Sequence, residues 1–240
     1  MGLRLTVLGC SGTYAAAGGA CSGYLVDDGE THVWIDAGSG TLANLQRHIG
    51  FESVDAVVLT HEHPDHWSDL EGFVNVLRYI APREGVAVYA PAGLRDNTYT
   101  ETEPHLEWHA VADGSHVSVG RLDLRFSRTD HGPETLAVRV DGQGRSLGYS
   151  ADTGPAWSLE ALGPGLDLAL CEATVPEHLE GTMQHLSAGQ AGASAKGAVA
   201  GRLLLTHLWP TLDPERARRE GEGAFGGPVD VAVVGGRYEI

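Results

Sequence analysis

Cysteine is scarce in this 240-residue chain: Cys10, Cys21 and Cys171 are an odd number at wide spacing, which excludes a disulfide framework and suits a reducing compartment. The three read as small buried residues. Long apolar runs are also missing. No stretch approaches the roughly 18 uninterrupted apolar residues of a membrane span. The opening Met1-Gly2-Leu3-Arg4-Leu5-Thr6-Val7 enters a strand-like segment without the charged start and cleavage site of an export signal. A cytoplasmic protein without membrane contact is the expectation. Basic residues are few, 16 against 32 acidic, and the formal charge of −16 would repel a long polyanion over most of the surface. Nucleic acid is therefore not the expected partner. The 33 glycines and 11 prolines are dispersed rather than gathered into a linker, so one compact domain is expected over residues 1–240.

Against these absences stands a dense group of metal-ligating side chains, Leu59-Thr60-His61-Glu62-His63-Pro64-Asp65-His66-Trp67, after the apolar run Asp55 to Leu59. His61, His63, Asp65 and His66 are too close in sequence to converge on one tetrahedral ion, and they read as halves of two adjacent sites. Pro64 removes a backbone donor and is expected to hold this loop out of helix. Further strands end in residues of the same chemistry. Asp36 follows Val33-Trp34-Ile35, His131 follows Leu122 to Ser127, Asp152 follows Leu147 to Ala151, and His207 follows Leu203 to Thr206. The C-terminal ends of strands are where α/β sheets collect functional groups.

Hairpin and meander patterns dominate the first part, with Gly29 in a turn that needs positive φ. Helical spacing is seen over Leu42 to Ile49, over Leu70 to Ile80, in the small-residue segment Ala188 to Ala200 and in the charged segment Pro214 to Gly223. Val229 to Val234 reads as the last long strand. Antiparallel stretches beside strand–helix alternation fit two sheets packed face to face with helices outside better than one parallel sheet.

The pattern His61-x-His63-x-Asp65-His66, then His131, then Asp152 in Tyr-Ser-Ala-Asp-Thr-Gly, then His207 in Leu-Thr-His resembles the metallo-β-lactamase superfamily over nearly the whole chain. The resemblance implies an α/β fold, the αββα four-layer sandwich, with a site for two divalent metal ions at one edge. By it, His61, His63 and His131 hold one ion, Asp65, His66 and His207 the second, Asp152 bridges both, and Asp36 orients a ligand histidine from behind. Nitrogen and carboxylate ligands without thiolate favour Zn2+, with manganese or iron as alternatives. The expected chemistry is hydrolysis.

Within the superfamily the chain is similar to the ribonuclease Z-like phosphodiesterases. The similarity is carried by Asp152, by Glu172-Ala173-Thr174, and by His185 in Gln184-His185-Leu186-Ser187. It implies catalytic roles for Asp65, Glu172 and His185, with the histidine protonating the leaving oxygen. Those enzymes carry a long basic arm between the positions matching His131 and Asp152. Only 20 residues separate them here. With the acidic balance, this points away from transfer RNA and toward a small phosphodiester such as a cyclic nucleotide, and the chain resembles actinobacterial proteins linked to that activity. A lactonase would use the same ligands. A glyoxalase-type thioesterase would need a further C-terminal helical domain, and a secreted β-lactamase an export signal. A non-enzymatic metal-holding protein would tolerate alanine at Asp152. Trp67 and Trp209 lie near ligands and are expected at the pocket, as are the loops 14–22 and 94–108. Trp34, Trp108 and Trp157 are expected to pack, and His105, His109, His116 and His178 to lie at the surface. Family members often dimerise, so the resemblance also implies a homodimer.

Overall fold

The computed structural model describes residues 2–240 and contains two seven-stranded sheets. The first comprises β1 (Arg4–Gly9), β2 (Gly23–Asp27), β3 (His32–Ile35), β4 (Ala56–Val58), β5 (Val86–Ala90), β6 (Leu106–Ala110) and β14 (Arg237–Glu239), ordered β14-β1-β2-β3-β4-β5-β6. The second comprises β7 (His116–Val119), β8 (Leu122–Arg128), β9 (Leu136–Gly142), β10 (Arg145–Tyr149), β11 (Leu168–Glu172), β12 (Leu203–Thr206) and β13 (Val229–Val231), ordered β13-β12-β11-β10-β9-β8-β7. The helices are α1 (Thr41–Leu45), α2 (Pro64–Trp67), α3 (Leu70–Tyr79), α4 (Ala188–Gly197) and α5 (Pro214–Phe225). No helix among the described residues is long and apolar enough to cross a membrane.

Alternation along the strands builds the layers. Leu5, Val7, Tyr24 and Val26 of the first sheet meet Leu122, Leu124, Val138 and Leu147 of the second in the central core. The opposite face of the first sheet, with Trp34 and Val57, buries Leu70, Phe73, Val74 and Leu77 of α3. Trp34 meets Phe73 edge to face at 5.6 Å between ring centres. Each such side chain, fully buried, contributes about 1.5–3 kcal/mol. The outer face of the second sheet packs α4 and α5, where alanines at 191 and 195 let the helix approach closely. The order is helix, sheet, sheet, helix, as expected.

Strand direction decides where the candidate ligand residues go. β3 and β4 are parallel neighbours, as are β10, β11 and β12. β8 and β10 are both antiparallel to β9 and therefore run alike. The C-terminal ends of β3, β4, β8, β10, β11 and β12 thus lie at one edge of the sandwich, and residues next after them can meet.

The opposite edge is tied by Asp28, 1% exposed in the β2–β3 turn. Its carboxylate accepts from the N–H groups of Glu30 and Thr31 at 3.1 and 2.9 Å, from Arg121 Nε at 2.9 Å and from Gln143 Nε2 at 3.1 Å. Burial pushes this carboxyl up, but those donors outweigh it and hold it below the usual carboxylate range. A depressed folded pKa contributes stability above the unfolded value of about 3.9, and the contribution is lost as pH falls through the folded value. Asp28→Asn is expected to lose about 1–3 kcal/mol in urea unfolding at pH 7. The gap from wild type should narrow below about pH 4; a gap unchanged at pH 3 contradicts this.

Three sequence expectations are corrected. Pro64 does not keep its segment out of helix: it is the first residue of α2, where its missing N–H would have had no partner in any case. The first helix stops at Leu45 rather than Ile49. The final strand is short, and after Gly235-Gly236 the chain crosses to the other sheet, where β14 pairs with β1. β14 is a half-exposed edge strand, so it carries little of the burial pattern that marks a strand in sequence.

Candidate metal centre

Backbone strain gathers where the candidate ligand residues emerge. Asp36, Ala151 and His207 have φ of 55°, 50° and 57°. Left-handed backbone is costly for residues with a side chain and persists where surrounding structure over-determines it, typically at functional sites. Two glycines allow close approach. A Cβ on Gly38 would lie 2.0 Å from the Asp65 carbonyl oxygen, and one on Gly12 would lie 2.3 Å from that of His207.

Two constellations converge on Asp152. In the first, His63 Nδ1 lies 3.1 Å from His61 Nε2 and 3.2 Å from His131 Nε2, and Asp152 Oδ2 lies 3.6 and 4.0 Å from the latter two nitrogens. In the second, His207 Nε2 lies 3.3 Å from both His66 Nε2 and Asp65 Oδ2. Asp152 Oδ1 completes it, 3.3 Å from His66 Nε2 and 3.5 Å from His207 Nε2. One carboxylate thus turns one oxygen to each group. Ligands at the corners of a zinc tetrahedron with 2.0–2.1 Å bonds lie about 3.4 Å apart.

Hydrogen bonds behind the rings fix their tautomers. Thr60 Oγ1 donates to Asp36 Oδ2 at 3.0 Å, so toward His61 Nδ1, at 3.1 Å, it accepts. Thr174 Oγ1 donates to Glu172 Oε2 at 2.5 Å and likewise accepts from His207 Nδ1 at 2.7 Å. His131 Nδ1 donates to the Gln184 carbonyl at 3.0 Å, and His66 Nδ1 to Asp36 Oδ2 at 2.8 Å. In the neutral form of all four rings the proton is held at the back, and a lone pair is left at Nε2 for the centre. Asp152 Oδ1 is buried without a hydrogen bond, which is costly unless a cation answers it. Burial, helped by the His66 charge, pushes His61 well below the ordinary histidine range. Burial would do the same to His66, but Asp152 and Asp36 outweigh it and raise it. Donor set, spacing and tautomers all fit divalent cations.

His185 stands beside this centre on the segment leading to α4. Its ring centre is 5.1 Å from that of His131 and 5.7 Å from that of His207. Nδ1 is bound to Glu172 Oε1 at 2.9 Å, which leaves Nε2 for the cavity. Burial opposes its charge, but Glu172 outweighs burial and raises it to about 9. Glu172 itself is fully buried at the end of β11, and also accepts from the N–H groups of Thr153 and Leu186 at 2.7 and 3.2 Å. It does not line the cavity itself and meets it through His185 and, by way of Thr174, through His207.

A cavity of about 360 Å³ opens over the centre, lined by Thr13, His63, Asp65, Asp152, His185 and His207. No arginine or lysine lines it among the described residues. Of the loops expected to face substrate, residues 14–22 line neither this cavity nor its neighbour, whereas Asn97 and Tyr99 line the neighbour. Trp67 also lines the neighbour, and Trp209 instead donates to Thr13 Oγ1 at 3.1 Å.

The β-lactamase superfamily domain matches residues 31–208. The chain belongs to the metallo-β-lactamase superfamily. Among its relatives is the uncharacterised protein Rv1339 of Mycobacterium tuberculosis, 34% identical over 255 residues that span 99% of this chain and 92% of that one. YhfI of Bacillus subtilis is 30% identical over 99% of this chain and 100% of its own. Its crystal structure, a metallo-β-lactamase fold protein, matches with a TM-score of 0.92 and covers 99% of both chains. Ribonuclease Z of Mycolicibacterium gilvum is 28% identical over 88% of this chain and 86% of its own.

What sequence reading missed in this superfamily member is mostly hydroxyls. Tyr149 OH reaches from the second sheet to donate to Asp36 Oδ2 at 2.9 Å, and so joins the set that holds His66. Thr60 and Thr174 do comparable work one residue before His61 and two after Glu172.

Proposed function

We propose that the chain is a two-metal phosphodiesterase acting on a small phosphodiester such as a cyclic nucleotide. His61, His63, His131 and Asp152 would hold one cation, and Asp65, His66, His207 and Asp152 the other, with zinc suited to the donor set. Bound there, the cations would supply Lewis acidity, which activates water and neutralises charge on a phosphoryl oxygen. The observation that carries the reading is the His185–Glu172 pair beside the shared carboxylate. An alkoxide leaves phosphorus poorly unless protonated, and His185, its Nδ1–H held by Glu172, presents Nε2–H to that oxygen. Ester or lactone cleavage has less need of this acid.

A small substrate is favoured over transfer RNA on three grounds. The β9–β10 connection is a tight turn at Gln143 and Gly144, with no arm. No arginine or lysine lines either cavity at the site among the described residues. The net charge is −16. The likeness to ribonuclease Z supports phosphodiester chemistry rather than that substrate.

The test is 31P NMR of zinc-loaded protein with cyclic AMP, set beside a model lactone and a pre-tRNA. Conversion of the cyclic diester to a monoester supports the proposal. Lactone cleavage without it would sink the reading, and efficient trimming of the pre-tRNA would overturn the argument on size. Behind the ligands, Tyr149→Phe is expected to weaken zinc binding by about tenfold in chelator competition. Unchanged affinity would remove Tyr149 from the positioning set.

A further inference from the structure

A second pocket, of about 570 Å³, adjoins the cavity over the centre and shares His63 and Pro64 with it. Its walls come from the stretch Glu62 to Glu71, with Glu62, Trp67 and Glu71, and from the loop carrying Asn97 and Tyr99. That loop is pinned in two places. Glu71 accepts from the backbone N–H groups of Tyr99 and Thr100 at 2.7 and 2.9 Å, and Asn97 Nδ2 donates to Glu62 Oε2 at 2.9 Å. Yet Tyr99 is left 97% exposed. A phenol ring held at a pocket wall by its own backbone, with nothing packed on it, is a stacking face awaiting a flat partner.

The polar groups of the pocket narrow that partner. The indole Nε1–H of Trp67 is spent on the Glu62 carbonyl at 2.9 Å, and the Asn97 amide donates to Glu62. Glu62 Oε1 and Asn97 Oδ1 remain as acceptors, and no arginine or lysine lines the pocket among the described residues. A second phosphate would be repelled here. A neutral planar group bearing N–H donors is favoured, and continuity with the centre requires it to be attached to the scissile phosphodiester. We infer that this pocket is the nucleobase subsite of a nucleotide substrate, with Tyr99 stacking on the base and Glu62 accepting its N–H. The inference rests on the phosphodiesterase reading for the phosphate, but the subsite is testable without it.

The experiment uses the metal-free 240-residue chain and a probe without phosphate. Adenosine binding is measured by calorimetry, with ribose as the base-free control, for wild type, Tyr99→Ala and Tyr99→Phe. The side chain is exposed, so its removal costs no packing. Wild type is expected to bind adenosine and not ribose, Tyr99→Ala to bind it about tenfold more weakly, the order of one lost base–aromatic stack, and Tyr99→Phe to bind it as wild type does. In the zinc-loaded enzyme, KM for cyclic AMP should rise about tenfold in Tyr99→Ala with kcat unchanged. Equal adenosine affinity in wild type and Tyr99→Ala, or no adenosine binding at all, overturns the subsite. Tyr99-dependent adenosine binding without cyclic AMP hydrolysis would uphold the subsite and sink the phosphodiesterase reading instead.

Discussion

Asp152→Ala is expected to lower phosphodiester hydrolysis by at least about a thousandfold and to cut bound zinc from two ions per chain to one or fewer. Asp152 turns one carboxylate oxygen to each constellation, with Oδ2 near His61 and His131 and Oδ1 near His66 and His207. Its removal strips a ligand from each half and leaves buried imidazoles without the negative charge they surround. Lewis acidity is worth several kcal/mol in such a centre, and about 4 kcal/mol is a thousandfold in rate. Circular dichroism should show the fold retained, because Asp152 follows β10 and is not part of the core. Hydrolysis within tenfold of wild type, or two zinc ions still bound, would contradict the assignment of Asp152 as the shared ligand.

The second large effect separates the acid from the metals. His185→Ala is expected to slow cyclic AMP hydrolysis by about 10²–10⁴-fold, the usual worth of a positioned proton donor. On bis(p-nitrophenyl) phosphate, whose nitrophenolate leaves without a proton, the same variant should stay within about tenfold of wild type. Zinc content should remain at two. That last readout matters because His185 comes close enough to Asp152 and His207 to be a ligand itself. The Glu172 bond to Nδ1 argues for the acid role, and an equal loss on both substrates together with a lost zinc ion would argue for the ligand role. Glu172→Gln, which keeps the shape but loses the charge behind the ring, should fall between wild type and His185→Ala on cyclic AMP alone.

The residues gathered around Asp152 stood out in the sequence because they follow apolar strands, and strand ends are local features. The topology then does the rest: parallel pairing of β10, β11 and β12, and the shared direction of β8 and β10, turn separate strand ends into one edge. Asp36 was legible for the same reason, as the next residue after Ile35. Tyr149 was not. Its hydroxyl acts across the interface between two sheets, on Asp36, 113 positions away, and no spacing rule connects them. Tyr99 lay in a charged, weakly periodic stretch, and only its exposure against a pocket wall gives it meaning. Pro64 was misjudged because a proline that breaks a helix interior is harmless at the first helical position, and its place in α2 depends on where the His63 backbone turns.

The most direct test is a zinc titration of metal-free protein, with initial rates of cyclic AMP hydrolysis read at each addition. A dinuclear centre sharing Asp152 predicts no turnover without metal and a rate that rises to its plateau at two equivalents. A plateau at one equivalent, or turnover in the metal-free protein, would contradict it.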